Sequence, residues 1–124
     1  MKKHSIFVLI ILVSLFFTGC KYDFILPEVV TPPPAVVSFA TNVAPIFSTG
    51  NKCTECHKPG GVHSPDLTQP NVYSQIVPGL VNTSNPAAST LLTHPGSSAH
   101  TQRALTAGES SIILAWITQG AKDN

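Results

Sequence analysis

Apolar and polar positions divide the chain into three unlike parts. From Ile6 to Phe17 apolar residues run for about twelve positions, broken only by Ser14, behind Lys2-Lys3 and ahead of Thr18-Gly19-Cys20. A positive start, an apolar run of that length and small residues at its end make a secretory signal, residues 1–19. The run is shorter than the roughly 20 apolar residues of a membrane-spanning helix; an uncleaved signal anchor is the alternative. From Lys21 to about Ser38 there is no helical period, and Pro27 and Pro32-Pro33-Pro34 favour extended polyproline II. At about 3.1 Å per residue such a stretch reaches roughly 55 Å, so residues 20–38 are predicted to be a semi-rigid tether. The alternative is a strand-like arm packed on the domain through Val29, Val30, Val36 and Val37.

After Phe39 the pattern becomes that of short helices. Ala40–Phe47 places Val43, Ile46 and Phe47 on one side, with Pro45 either setting the start near Ala44 or kinking the helix, and Gly50 ending it. Lys58-Pro59-Gly60-Gly61 reads as a loop. Asn71 is expected to cap a helix over Asn71–Val77 that Pro78-Gly79 stops. Asn85 as cap and Pro86 at the first helical position predict another over Pro86–Thr93, with Ala87, Ala88, Leu91 and Leu92 as its apolar residues. The clearest helix is the last. Thr106 and Glu109 form a capping box, Ile112, Ile113, Trp116 and Ile117 share one face, and Gly120 is a natural stop. Trp116 is predicted to pack in the core, contact with the edge of a bound group being a refinement of that. The fold class that follows is all-α, a small helical domain over residues 39–124 after a signal peptide and a proline-rich tether.

The candidate chemistry lies in Cys53-Thr54-Glu55-Cys56-His57. C-x-x-C-H is the attachment signature of c-type haem. Two thiols at that spacing reach the two vinyl groups of the porphyrin, and the histidine that follows turns its imidazole to the iron as proximal ligand. The chain has three cysteines. With Cys53 and Cys56 assigned to haem and Cys20 to the export signal, none remains for a structural disulfide.

Charge adds little beyond exclusions. The formal net charge is +1, but after residue 19 five basic and six acidic residues leave −1, and Lys52, Lys58, Arg103 and Lys122 are scattered. Nothing forms the basic stripe of a nucleic-acid binder. A domain of about 85 residues is marginal without help. Burying roughly 500 Å² of porphyrin at about 25 cal/mol per Å² contributes on the order of 10 kcal/mol, an upper value, so the domain is expected to depend on haem for its folding.

Two resemblances extend this reading. Small residues directly before Cys20 resemble the lipobox of bacterial lipoproteins, with Phe17 where an aliphatic residue is commoner. That resemblance implies cleavage before Cys20, a lipid on its sulfur, and a chain held on a bacterial membrane facing the periplasm or the cell surface. The stretch from Phe39 to Ala121 resembles the small single-haem cytochrome c domains of Planctomycete type. The matching pieces are Val43-Ala44-Pro45-Ile46-Phe47, the haem motif, Asp66-Leu67, Ser89 with Leu91, Leu105-Thr106 with Glu109, Trp116-Ile117 and Gly120-Ala121. The resemblance implies a cytochrome c-like fold whose N- and C-terminal helices cross beside one covalent haem. The family commonly has a methionine shortly before the Leu-Ser/Thr step as second axial ligand. The only methionine here is Met1, so that ligand is excluded, and His100, five residues before Leu105, is the first choice. His94 and His63 are its rivals, and an open sixth position remains.

The function expected is therefore a membrane-anchored monohaem cytochrome that transfers single electrons to and from redox partner proteins, with bis-His iron ligation and no enzymatic activity. Ser97, Ser98 and His100 have the residue types of a hydrolase fragment but no nucleophile elbow. A gas-binding or sensing module would need an open or labile sixth position. A zinc site from Cys53, Cys56, His57 and one further histidine is chemically reasonable, though Cys56 and His57 are adjacent and would strain a chelate. A thioredoxin-like dithiol would need a βαβ surround that the pattern lacks.

Overall fold

A computed structural model of the chain describes residues 29–49 and 53–124. The predicted signal peptide, the lipid-attachment residue Cys20, the first part of the tether and the stop at Gly50 lie outside those residues. Among the described residues the elements are helical and none is a strand, and no helix is long and apolar enough to cross a membrane.

The chain enters its first helical segment at Ser38, whose extended backbone and hydroxyl, accepting from the Thr41 N–H, make an N-cap. Pro45 has no N–H to return to the Thr41 carbonyl and its ring crowds that position. The backbone responds with a π-helical turn, Phe39–Val43, closed by a bond from the Ala44 N–H to the Phe39 carbonyl. Helix α1 (Ala44–Ser48) then starts with Pro45 in its first turn. Val43, Ile46 and Phe47 are buried, as the pattern predicts.

Helix α2 spans Val72–Leu80 and differs from expectation at both ends. Asn71 caps nothing; its side-chain amide donates to Asp66 Oδ2 at 3.0 Å instead. Pro78 does not stop the helix but sits inside it. In a final turn its missing N–H forfeits one bond, to Ser74, while Leu80 beyond it packs against the core. The predicted helix over Pro86–Thr93 is broken in two, a 3₁₀ turn at Pro86–Ala88 and α3 at Thr90–Thr93. Ser89 between them is extended and 1% exposed, and its Oγ accepts from the Asn82 N–H at 2.9 Å. That tertiary bond outweighs the helical tendency of its neighbours, and leaves Ala87 and Ala88 exposed while Leu91 is buried.

Helix α4 (Ala107–Thr118) carries the expected capping box: Glu109 N–H donates to Thr106 Oγ1 at 3.2 Å, and Thr106 N–H donates to Glu109 Oε2 at 2.8 Å. Its end is a Schellman motif. Gly120 N–H donates to the Ile117 carbonyl and Ala121 N–H to the Trp116 carbonyl, with Gly120 at φ +96°.

The core is a junction of these pieces. Phe39 meets Trp116 at 5.2 Å and Tyr73 at 5.0 Å between ring centroids, so the first and last helical segments and α2 join at one aromatic cluster. Its polar tips are satisfied by backbone, Tyr73 Oη donating to the Ala121 carbonyl and Trp116 Nε1 to the Lys122 carbonyl. Trp116 is thus a core residue. The tether meets the domain before Phe39. Val37 is buried, its N–H donates to Gln119 Oε1 at 3.0 Å, and Gln119 Nε2 donates to the Ala35 carbonyl at 3.3 Å. Asn124 completes the clasp, its Oδ1 accepting from the Phe39 N–H. Val29, Val30 and Val36 stay exposed, so the packed arm is confined to the last residues of the tether.

Candidate functional site

The C-x-x-C-H segment forms a single helical turn. Cys56 N–H and His57 N–H both donate to the Cys53 carbonyl, at 3.2 and 2.9 Å. Residues three and four apart in such a turn share a face, so Cys53, Cys56 and His57 are presented together. Three backbone anchors hold the turn. The Phe47 carbonyl at the end of α1 accepts from Cys53 N–H at 3.1 Å, the Cys56 carbonyl accepts from His63 N–H at 3.4 Å, and the His57 carbonyl accepts from Leu67 N–H at 3.0 Å. Gly61 lets the following loop fold back closely on the Cys56 and Lys58 carbonyls.

Two adjoining clefts open beside this turn. One, of about 230 Å³, is apolar, walled by Ile46, Phe47, Leu67, Leu80, Leu91 and Leu105, with Cys53 and His57 on its rim. The other, of about 680 Å³, is the more polar of the two and takes in Cys56, His63 and Gln102. Both are lined by Cys53, His57, His94, His100 and Arg103. Arg103 Nη2 meets Glu55 Oε2 at 2.8 Å, a partly exposed pair that joins the motif to the loop before α4.

His57 is fixed by the fold. Its Nδ1 lies 3.1 Å from the Pro65 carbonyl oxygen, which can only accept. Nδ1 therefore carries the proton and Nε2 keeps the lone pair, the arrangement found when a ring is to bind a metal. Burial, with His100, His63 and His94 nearby, lowers the His57 pKa below its ordinary 6.5, against the opposing pull of the Pro65 carbonyl. The ring is thereby biased to the neutral, ligating form.

The other histidines converge on it. His100 lies 6.1 Å from His57 between ring centroids with planes 25° apart, His63 lies 6.0 Å away at 38°, and His94 sits 5.2 Å from His100. With metal–nitrogen bonds of about 2.0–2.1 Å, two imidazoles on opposite sides of one ion have centroids roughly 6 Å apart, a separation that both His100 and His63 meet. Surroundings distinguish them. His100 is half-buried and lines both clefts, and its Nδ1 is buried without a hydrogen-bond partner. His63 is exposed and lines only the larger cleft. Among the described residues no three His, Cys, Asp or Glu side chains are grouped to hold one metal ion.

The residues singled out in the sequence, Cys53, Cys56, His57 and the other histidines, are brought together by the fold, whereas the Pro65 carbonyl, the Glu55–Arg103 pair and the Gly61 approach were not foreseen. A backbone carbonyl has no residue-type signature, and the Glu55–Arg103 pair joins positions 48 apart in sequence. Comparison with family models, with curated proteins and with solved structures finds no match to this chain.

Proposed function

We propose that residues 39–124 form a monohaem c-type cytochrome domain on an exported, lipid-anchored chain, serving as a single-electron carrier. The observation that carries this reading is the C-x-x-C-H turn set on an apolar cleft, with His57 Nδ1 engaged by Pro65 and Nε2 left for a metal. The residues fit haem. A porphyrin asks for one imidazole on each face rather than a group of three ligands on one ion, and for an apolar slot beside two thiols. His57 and His100, whose rings lie 6.1 Å apart, would supply the first, and the wall from Ile46 to Leu105 the second. When bound, haem supplies one-electron exchange between Fe(III) and Fe(II).

The chain's own residues do the rest. Cys53 and Cys56 would hold the haem covalently through its two vinyl groups. His57, in its neutral form, and His100 would be the residues that ligate its iron. Leu67, Leu91 and their neighbours exclude water from the ring, while Glu55 and Arg103 present charge at the rim where a redox partner docks. His ligation in place of Met lowers the reduction potential. Cys20, with its lipid, keeps the domain at a bacterial membrane.

The test is optical. Protein made with c-type haem maturation is expected to keep haem on a denaturing gel and to give a c-type pyridine haemochrome. Its spectrum is expected to be low-spin and unmoved by carbon monoxide, with His100→Ala opening the iron to that gas. A high-spin native spectrum that binds carbon monoxide would replace the bis-His carrier with a gas-binding module, and absence of covalent haem would remove the proposal altogether.

A further inference from the structure

His57 and His100, 6.1 Å apart, are held by different means. His57 is oriented through its own ring, by the bond from Nδ1 to the Pro65 carbonyl. The His100 ring has no hydrogen bond among the described residues, and its Nδ1 is buried without a partner. Its placement therefore falls to the backbone that carries it.

That backbone is a tight, self-bonded loop. Ser97 N–H donates to the His94 carbonyl at 3.0 Å, His100 N–H to the Ser97 carbonyl at 2.9 Å, and Gly96 N–H returns to the His100 carbonyl at 2.9 Å. At the start of the loop His94 N–H donates to the Thr90 carbonyl at 2.9 Å, which ties it to α3. Among the described residues no backbone bond joins the loop to residues 101–105, so on that side it rests on contact. The contact is Gly96 on Ala104. Gly96 has φ +81°, and a Cβ there would lie 2.8 Å from Ala104 Cβ and 3.3 Å from Ala104 Cα. An alanine Cβ is fixed to its backbone, so neither atom can rotate away. Ala104 and Leu105 line the apolar cleft, as do His94 and His100 from the loop. Through its bond to the His100 carbonyl, a displacement of Gly96 passes to the histidine four residues on.

We infer that Gly96 is a positioning residue for His100. Having no side chain, it lets the loop close on Ala104 and so sets where the His100 ring meets the cleft, a task that a ring bond performs for His57. The small side chain of Ala104 is the other half of the same contact. This rests on the reading of His100 as the second axial ligand.

The experiment uses holo-protein, with cyanide as competitor for the ferric iron read by absorption. Low-temperature electron paramagnetic resonance is recorded alongside, because its g-values report the angle between two axial imidazole planes. Overpacking of this kind corresponds to roughly 5- to 150-fold in an equilibrium. Gly96→Ala is expected to raise cyanide affinity by about tenfold, inside that range, and to shift the g-values. Ala104→Gly, which clears the space the new methyl needs, is expected to change neither readout alone and to return both to wild type in the double variant. Left-handed strain of the alanine at position 96 remains in that double variant, so its melting temperature stays below wild type while ligation recovers. If Ala104→Gly does not bring cyanide affinity back, backbone strain and not the contact is responsible, and the inference is overturned. If Gly96→Ala lowers the melting temperature but moves neither readout, while His100→Ala raises cyanide affinity, the positioning role is overturned and the axial assignment stands. If Gly96→Ala matures no holo-protein, the double variant decides: holo-protein with wild-type g-values supports the contact, and none overturns it. If His100→Ala itself leaves cyanide affinity unchanged, His100 is no ligand and the inference fails together with the reading beneath it.

Discussion

Gly61→Ala separates a steric requirement of the site from ordinary loop strain. A Cβ at Gly61 would overlap the Cys56 carbonyl oxygen, lie 2.8 Å from the Lys58 carbonyl oxygen and 3.1 Å from Lys58 Cγ. The two oxygens belong to backbone, so neither can rotate away, and the Gly61 N–H is already bonded to Lys58 at 2.8 Å. The Cys56–Lys58 backbone must move instead, and with it the His57 ring between them. Overpacking of this kind costs about 1–3 kcal/mol. For a domain this small that is a Tm lower by about 4–8 °C for each kcal/mol. Gly60→Ala is the control. Gly60 has φ +70° but nothing within 4 Å of its Cβ position, so alanine there meets left-handed backbone strain of about 1–2 kcal/mol and no clash. Melting temperature alone would not distinguish the two, since the ranges overlap; yield of covalent haem and the low-spin spectrum would. Gly60→Ala is expected to melt lower with wild-type haem content, whereas Gly61→Ala also loses attachment or shifts the spectrum. Equal haem content and identical spectra in both variants would refute the idea that this close approach sets the motif.

Three further outcomes follow from the same geometry. Gln119→Ala removes the acceptor of the Val37 N–H and the donor to Ala35; it is expected to cost about 1–3 kcal/mol and to speed proteolysis at residues 29–37, and unchanged cleavage there would show that the clasp does not hold the tether. The Asp66 carboxylate accepts from Thr68 N–H at 2.9 Å, Thr68 Oγ1 at 2.6 Å and the Asn71 amide at 3.0 Å, bonds that hold its pKa below 3.8. Because the folded state favours the charged form, its stabilisation is complete above the ordinary value and is lost as pH falls through the folded one; the Tm deficit of Asp66→Ala should stay steady near neutral pH and narrow only as pH falls below the ordinary carboxylate range, and a deficit constant into acid would be the contrary result. Protein made without haem is expected to lack a cooperative thermal transition, and a sharp melt in differential scanning calorimetry would refute that dependence.

Legibility in the sequence followed how local each cause is. The capping box of Thr106 and Glu109 and the glycine stop at Gly120 act within one turn, and α4 has the predicted ends. Pro45 likewise acts on its own turn, producing both the helix start at Ala44 and the distortion before it. Pro78 and Ser89 were decided by distant partners: the packing of Leu80 on the core carries α2 through a proline, and the bond from Asn82 pulls Ser89 out of a helix. The tether was ambiguous for a related reason. Val36 and Val37 look alike in sequence, yet the first is 74% exposed and the second 2%, because Gln119, 82 positions from Val37, reaches its backbone. At the site, spacing alone singled out the thiols and His57, because the proposed haem attachment would require that spacing. The partners that orient those groups are carbonyls and close approaches, which residue type does not encode.

The two ends of α4 assign different tasks to the two halves of the domain. Twelve residues at about 1.5 Å each make it roughly 18 Å long. Glu109, in its first turn, lines the apolar cleft, while Gln119, just past its last, grips the tether. The aromatic cluster of Phe39, Tyr73 and Trp116 lies toward the tether end and is bonded internally through Ala121 and Lys122. Ile46, Phe47, Leu67 and Leu91 belong to both the core and the cleft wall. A group filling the cleft packs directly on those four, so its burial adds to the same cooperative unit that the aromatic cluster closes. This is why occupancy of the cleft should govern stability of the whole domain, while a change at Gln119 should loosen the tether and leave His57 and His100 in place.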